Sequence, residues 1–143
     1  MSSGEESYDV PDGYYYTKEH EWVKKESDNE SSLVLVGITD YAAKMLNDIV
    51  YVVLPSDGTE FKSKDVFGQV ESVKTVSDVY MPLSGKVVRT NQELTKTPEA
   101  ISRSPYVDGW MLEVEPSNIG AELKELLNAS QYRSFIEELK GSE

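Results

Sequence analysis

The side-chain amine of Lys74 is the first group in this sequence whose position suggests chemistry. It follows the β-prone run Val66 to Val73, and a second such run, Val76 to Met81, comes directly after Lys74-Thr75. The lysine is therefore predicted near the junction of two strands, where its amine reaches water and could be acylated. Most exposed lysines are only solvated charges, and a tight hairpin would favour Asn-Gly or Asp-Gly at the bend. The pattern alone indicates an accessible amine and nothing more specific.

The single histidine, His20, is the other group that could take part in a reaction, and it stands between Glu19 and Glu21. Acid–base catalysis needs a positioned partner, and a transition-metal site needs more than one strong ligand. The chain has no cysteine, which excludes a thiol nucleophile, thiolate metal sites and disulfide bonds. We therefore expect a structural or hydrogen-bonding role for His20, and we predict no catalytic residue and no metal site.

The acidity of the chain limits the partners that it could bind. The formal net charge of the 143 residues is −12, which repels phosphate backbones and argues against nucleic-acid binding. The same charge favours partners with basic docking patches. No apolar run approaches the roughly 20 residues that cross a bilayer, so we expect a soluble protein with no membrane partner.

The length and the first residues suggest one domain behind a short leader. Residues 1–13 are polar, acidic and rich in Ser and Gly, and we predict a disordered leader there. Residues 14–140 are predicted to form a single domain, because a chain of this length can bury a core. The leader lacks the Arg-rich composition of a transit peptide and the apolar core of a secretory signal. We expect a cytoplasmic protein if the source is bacterial or archaeal, and alternatively a mitochondrial matrix protein from which a transit peptide has been removed.

The spacing of apolar runs predicts a mainly β domain. Strand-like runs recur at intervals of roughly 8–15 residues with turn residues between them, which is typical of a barrel or sandwich. The predicted strands are Tyr14 to Lys24, Leu33 to Ile38, Ile49 to Leu54, the two runs that flank Lys74, Lys86 to Val88, and Trp110 to Val114.

Helical patterns are found in the middle and at the end of the chain. Thr39 has the character of an N-cap, and Tyr41 to Leu46 is predicted as a short helix after the second strand. Apolar residues at three- and four-residue spacing after Ile119 predict two amphipathic helices that close the chain, the second capped by Ser130. Before them, Asn91 to Pro105 is predicted as an irregular loop with one short helical turn.

Five groups of residues, in order and in register, carry a family resemblance. They are Tyr16-Thr17-Lys18-Glu19-His20-Glu21-Trp22-Val23, Gly37-Ile38-Thr39-Asp40-Tyr41-Ala42, Asp48-Ile49-Val50-Tyr51-Val52-Val53-Leu54-Pro55, Glu71-Ser72-Val73-Lys74 with Ser77-Asp78 and Pro82-Leu83-Ser84-Gly85, and Ser104-Pro105-Tyr106 with Asp108-Gly109-Trp110. Together they resemble the glycine cleavage system H protein family, from about Tyr14 to Leu139. Several motifs in one order are a far more specific signal than one lysine.

The resemblance implies a hybrid barrel-sandwich, the lipoyl-domain-like fold, with the modified lysine at a hairpin tip. It implies that lipoate is joined to Lys74 by an amide, as N6-lipoyllysine, and that Glu71 is recognised by the lipoylating enzyme. The family is a non-catalytic carrier of the aminomethyl group of glycine. A pyridoxal-phosphate decarboxylase (the P protein) loads this group, and a tetrahydrofolate-dependent aminomethyltransferase (the T protein) removes it. A dihydrolipoyl dehydrogenase (the L protein) then reoxidises the arm.

The family also shelters the loaded arm in a surface cleft. The positions that match this arm-binding cleft are Glu19, Glu21, Ile38, Ala42, Leu46, Thr75 and Asp78. The resemblance implies that Glu21 and Asp78 pair with the aminomethyl ammonium through charge-assisted hydrogen bonds. It implies an apolar wall of Ile38, Ala42 and Leu46. Of these residues, Ile38 and Leu46 would also suit the hydrophobic core. Thr75 departs from the alanine that most members have after the lysine, so its role in the cleft stays open.

Three alternatives accompany this interpretation. A biotin carrier shares the hairpin design but has methionine on both sides of its lysine, where this chain has Val73 and Thr75. An H-like lipoyl protein that relays lipoate to other complexes would need the same lysine. An enzyme would need a nucleophile and a base, which this composition does not supply convincingly.

Overall fold

Two antiparallel sheets organise the computed structural model, which describes residues 7–28 and 32–141. The strands are Tyr15–Tyr16 (β1), Glu21–Lys25 (β2), Val34–Ile38 (β3), Ile49–Val53 (β4), Glu60–Phe61 (β5), Val66–Ser72 (β6), Val76–Tyr80 (β7), Gly85–Thr90 (β8) and Leu112–Pro116 (β9). The helices are Asp40–Leu46 (α1), Glu93–Lys96 (α2), Ala100–Arg103 (α3), Ile119–Leu123 (α4) and Ala129–Gly141 (α5).

The larger sheet has the order β1-β2-β3-β9-β8-β5, and the smaller sheet has the order β4-β6-β7. Apolar side chains from both sheets meet in one core, which includes Val23, Val36, Val70 and Leu112. A second apolar cluster lies under α5 and contains Tyr16, Trp22 and Tyr132. Burial of this apolar area is the main favourable term in folding. The predicted mainly β fold, with a short early helix and a helical end, is confirmed.

The region predicted as a single first strand is divided in two by a turn. The backbone N–H of His20 donates to the Thr17 carbonyl at 3.1 Å, and the Thr17 N–H donates to the Glu21 carbonyl at 3.0 Å. His20 has a φ of 74°, in the left-handed region that few side chains adopt. The prediction of one strand from Tyr14 to Lys24 was wrong because this turn contains neither Gly nor Pro.

The short helix α1 begins as the sequence predicted. Thr39 is its N-cap, and the Thr39 hydroxyl accepts a hydrogen bond from the Ala42 N–H at 3.2 Å. The later predictions need correction, since the loop after β8 contains two short helices instead of one, and the last strand begins at Leu112 instead of Trp110. Within the described ranges, no helix is both long and apolar enough to cross a membrane.

Helix α5 begins at Ala129, two residues earlier than a cap at Ser130 would place it. The Asn128 side-chain oxygen accepts from the Gln131 N–H at 2.8 Å, and the Gln131 side-chain oxygen accepts from the Asn128 N–H at 2.9 Å. This reciprocal pair is a capping box, which satisfies donors at the helix start. Asn128 is therefore the cap of α5, and the prediction of Ser130 was wrong.

We expect Asn128→Ala to lower the free energy of unfolding by about 1 kcal/mol, because the loss of an N-cap acceptor costs roughly that much. Ser130→Ala is the matched control and should change stability by less than about 0.5 kcal/mol, since Ser130 is exposed. Urea unfolding of both variants measures the difference. Equal losses would contradict the assignment of the cap.

Residues 7–13 of the predicted leader contact the domain, whereas residues 1–6 lie outside the described residues. Val10 is buried in the cluster under α5. The Asp9 N–H donates to the Asp40 carboxylate at 2.9 Å, and the Tyr106 hydroxyl donates to the Asp9 carbonyl at 2.6 Å. Arg133 of α5 donates to the Val10 carbonyl at 2.8 Å. These contacts join the segment to α1 and α5.

Candidate functional site

The tip of the β6–β7 hairpin presents Lys74. The Ser72 N–H donates to the Thr75 carbonyl at 2.8 Å, and Val73 and Lys74 form the tip between these two bonded residues. The Val73 N–H donates to the Asp48 carbonyl at 3.0 Å, which attaches the tip to the segment between α1 and β4. The lysine therefore extends from a turn whose backbone is fixed at both ends.

The side chain of Ser72 shapes this turn. Its oxygen accepts from the Lys74 N–H at 3.3 Å and from the Thr75 N–H at 3.2 Å, and its hydroxyl donates to the Thr75 carbonyl at 3.3 Å. Neither residue of the tip has a positive φ, so the Asn-Gly of a common two-residue hairpin is not required. Sequence reasoning missed Ser72 as a functional residue. The available signal was the tendency of serine to bond backbone groups in turns.

Lys74 itself is exposed, as the position at the strand junction predicted. Among the described residues its ammonium has no ion-pair partner within 4.0 Å. An acylating enzyme would therefore find the amine accessible and without a competing carboxylate. These properties fit an amide-linked cofactor at this position.

Glu71 and Asp78 lie on the outer face of the smaller sheet. Glu71 is half-buried and is paired with Tyr51 of β4 and Val76 of β7. Asp78 is exposed and accepts from the Gln69 side-chain amide at 3.0 Å. Both carboxylates are thus on the hairpin that presents Lys74, and both could face a docking enzyme.

Glu21 occupies a different environment, because it is only 1% exposed. The Thr17 hydroxyl donates to one carboxylate oxygen at 2.6 Å, and the Tyr80 N–H donates to the other at 3.1 Å. Burial raises the pKa of Glu21 to about 7, while these two hydrogen bonds act in the opposite direction. A group that titrates near neutral pH and holds the end of β7 is a functional candidate.

The chain is attached to the β6–β7 hairpin on both sides of helix α1. Ile38, two residues before α1, is paired with Glu21, which accepts from the Tyr80 N–H. Asp48, after the helix, accepts from Val73 at the tip. The helix therefore runs from the Tyr80 end of β7 towards the lysine.

The residues of the predicted apolar wall are packed in or against the main core. Ala42 and Leu46 are half-buried against the main core, one helical turn apart, and Ile38 is buried within it. Thr75 is exposed at the lysine end of β7. The structure thus brings Glu21 and Ile38 together at one end of the helix and Thr75 and Lys74 together at the other.

Glu19, the remaining predicted cleft residue, lies in different surroundings from Glu21 and the residues of α1. It is exposed in the turn before β2 and lines a surface pocket with Lys64, Met81 and Leu126. The place of Glu19 in the cleft, like that of the other six cleft residues, stays a prediction. Within the described ranges, no group of three or more His, Asp or Glu side chains could hold a metal ion.

Comparisons with known proteins decide the family. A family model described as Glycine cleavage H-protein matches residues 14–139. The chain belongs to the glycine cleavage H-protein family. The resemblance drawn from the five groups of residues is confirmed.

Relatives of this H-protein family member are similar over most of their length. A protein of Pyrococcus abyssi named "Probable glycine cleavage system H protein" is 50% identical over 132 residues, which cover 92% of this chain and 96% of the relative. The glycine cleavage system H protein of Oceanobacillus iheyensis is 50% identical over 129 residues, which cover 90% and 98%. The crystal structure of a glycine cleavage system H protein from Mycobacterium marinum has a TM-score of 0.79 and 38% identity, and covers 87% of this chain and 97% of that chain.

Proposed function

We propose that this H-protein family member is the lipoylated carrier of the glycine cleavage system. In this role Lys74 holds lipoate through an amide, and the arm carries the aminomethyl group of glycine from the P protein to the T protein. The L protein restores the oxidised arm. The observation that carries the proposal is the exposed Lys74, held on a rigid two-residue tip in a chain of this family.

Lipoate, when attached, would supply a disulfide that opens so that one sulfur takes the aminomethyl group and the other becomes a thiol. The protein itself supplies an anchor and a shelter, which is the division of labour expected of a cofactor protein. Tethering at Lys74 raises the effective concentration of the arm at each docked enzyme. The backbone bonds of Ser72 and Asp48 keep the anchor point fixed.

The shelter that we propose runs along α1, from the lysine tip towards Glu21. Ala42 and Leu46 would contact the hydrocarbon part of the arm, and burial stabilises such contacts by about 0.8 kcal/mol for each methylene. Glu21, at the far end of this route, has two further lone-pair positions beyond those used by Thr17 and Tyr80. Glu21 would accept a charge-assisted hydrogen bond from the ammonium of the carried group. Asp78 would accept such a bond from the outer face of the smaller sheet.

The proposed partners are the P, T and L proteins and the lipoylating enzymes. The net charge of −12 favours docking sites with basic residues on these partners. Glu71, three residues before the lysine on the exposed hairpin, would be read by the lipoylating enzyme. Since the relatives named above are archaeal and bacterial, we propose that the protein acts in the cytoplasm of such a cell.

Reconstitution with the P, T and L proteins tests this function. We expect the lipoylated chain to support exchange of CO2 with the glycine carboxyl group when the P protein is present. The complete set should form methylenetetrahydrofolate and ammonia from glycine. The unlipoylated chain is the control and should support neither reaction.

A chain that carries one lipoyl group but supports neither reaction would contradict the proposal. If it instead donated lipoate to other acceptor complexes, the relay function would replace the carrier function. Both outcomes are read from the same preparation by mass spectrometry and product analysis.

A further inference from the structure

A chain of hydrogen bonds joins helix α5 to α1 and to the turn before β2. The Tyr132 hydroxyl lies 2.8 Å from the Thr39 hydroxyl and 2.7 Å from Nδ1 of His20. Thr39 in turn accepts from the Ala42 N–H. Tyr132 is fully buried, and its partners lie 93 and 112 residues away in sequence. One buried hydroxyl therefore connects three separate parts of the fold.

The groups of this hydrogen-bond network are uncharged near pH 7. Burial lowers the pKa of His20 to about 4, so its imidazole is neutral near pH 7 and Nδ1 can accept. Burial also raises the pKa of the Tyr132 phenol, which stays protonated. The two hydrogen bonds of Tyr132 run in one direction, either from Thr39 through Tyr132 to Nδ1 of His20 or in the reverse order, according to the tautomer of His20. No buried side-chain nitrogen or oxygen of the described residues lacks a hydrogen-bond partner, as a buried network requires.

The two ends of this network hold the elements that border the proposed arm shelter. At one end, Thr39 caps the helix that carries Ala42 and Leu46. At the other end, His20 sits at positive φ directly before Glu21, and its carbonyl accepts from the Thr39 N–H at 2.9 Å. A shift of the Tyr132 hydroxyl would therefore move the apolar wall and the carboxylate relative to each other.

We propose that Tyr132 is a positioning residue for the arm-binding cleft. Its hydroxyl fixes the first turn of α1 against the Thr17–His20 turn, and so sets the distance between the apolar wall and Glu21. The proposal rests on the carrier function, because the shelter has a purpose only if Lys74 carries an arm. The residue acts through Thr39 and His20 and does not itself contact the arm.

Tyr132→Phe tests the proposal, and Tyr16→Phe is its matched control. The two rings are both fully buried and stacked at 4.7 Å between centroids. The Tyr16 hydroxyl donates at 2.6 Å to the Pro11 carbonyl and not to α1 or the turn. Each variant removes one buried hydroxyl from the same cluster, so the general cost in stability is similar.

The first measurement is amide hydrogen exchange of the chain without lipoate. Tyr132→Phe should speed exchange of the Thr39 and Ala42 amides roughly tenfold relative to amides of β6, since a lost buried hydrogen bond weakens its neighbours. Tyr16→Phe should leave this ratio within about twofold, because it removes no hydrogen bond of Thr39 or His20. His20→Asn is a second variant, because asparagine tolerates positive φ but lacks the imidazole. It should resemble Tyr132→Phe, and it decides the result if Tyr132→Phe does not fold.

The second measurement is the lifetime of the aminomethyl group on the lipoylated chain. We expect it to shorten several-fold in Tyr132→Phe and to stay unchanged in Tyr16→Phe. Equal effects of the two variants in either measurement would overturn the proposal. Faster local exchange with an unchanged lifetime would overturn the link to the arm and leave the carrier function intact. A wild-type chain that cannot be loaded with the aminomethyl group would overturn both the positioning role of Tyr132 and the carrier function. The exchange data would still show that the hydrogen-bond network is present.

Discussion

Lys74→Arg is expected to abolish lipoyl attachment and all carrier activity. The guanidinium of arginine keeps the positive charge and the exposure of the side chain, but it is not a nucleophile at neutral pH. Incubation with lipoate, ATP and a lipoate ligase should raise the intact mass of the wild-type chain by one lipoyl group. The mass of the variant should not change, and glycine–CO2 exchange should fall to background.

The control for this experiment is Lys86→Arg. Lys86 is an exposed lysine on β8 of the larger sheet, away from the β6–β7 hairpin. The Lys86→Arg variant should be lipoylated at Lys74 as the wild-type chain is, and it should retain full exchange activity. If an adduct appeared on Lys74→Arg, or if that variant remained active, Lys74 would not be the attachment site.

Glu21→Gln is expected to shorten the lifetime of the carried aminomethyl group about tenfold while lipoylation continues at Lys74. The amide has nearly the size of the carboxylate but no negative charge, so a charge-assisted hydrogen bond to the ammonium is lost. Release of formaldehyde and ammonia from the loaded chain measures the lifetime. Glu125→Gln, at an exposed position, is the control and should have no effect. An unchanged lifetime in Glu21→Gln would exclude Glu21 from the shelter.

The pKa of Glu21 predicts a pH dependence with a definite sign. Burial raises this pKa from its ordinary value of 4.5 to about 7, so the folded state holds the proton more tightly than the unfolded state. The contribution of Glu21 to stability is complete below pH 4.5 and is lost as the pH rises through 7. The loss amounts to about 3 kcal/mol between these limits. Urea unfolding should therefore show the wild-type chain losing stability relative to Glu21→Gln from about pH 5 to pH 8.

Retention of the carried group should depend on pH in the opposite direction. Only the ionised carboxylate attracts the ammonium, so the advantage of the wild-type chain over Glu21→Gln should grow as the pH rises above 7. Because His20 titrates lower, at about pH 4, it does not contribute to this range. A lifetime ratio that is the same at pH 6 and pH 8 would contradict the role of the carboxylate.

Local patterns were sufficient to predict much of the framework. Strands β6 and β7 follow from β-branched residues on both sides of Lys74, and α1 follows from Thr39 as its cap. The cap of α5 shows where local reasoning is ambiguous, because Asn128 and Ser130 are both good capping residues. Gln131, three residues after Asn128, was the signal that distinguishes them.

The sequence by itself determined the acidic net charge, the alternation of strands and the family, since these depend on residue type and short spacing. Only the tertiary structure decided that Glu21 is buried against Tyr80 and that Tyr132 joins His20 to Thr39. These contacts unite residues 59, 112 and 93 positions apart. A carboxylate acquires a pKa near 7, and a hydroxyl acquires a positioning role, only when folding removes water and supplies particular partners. No local pattern specifies that environment.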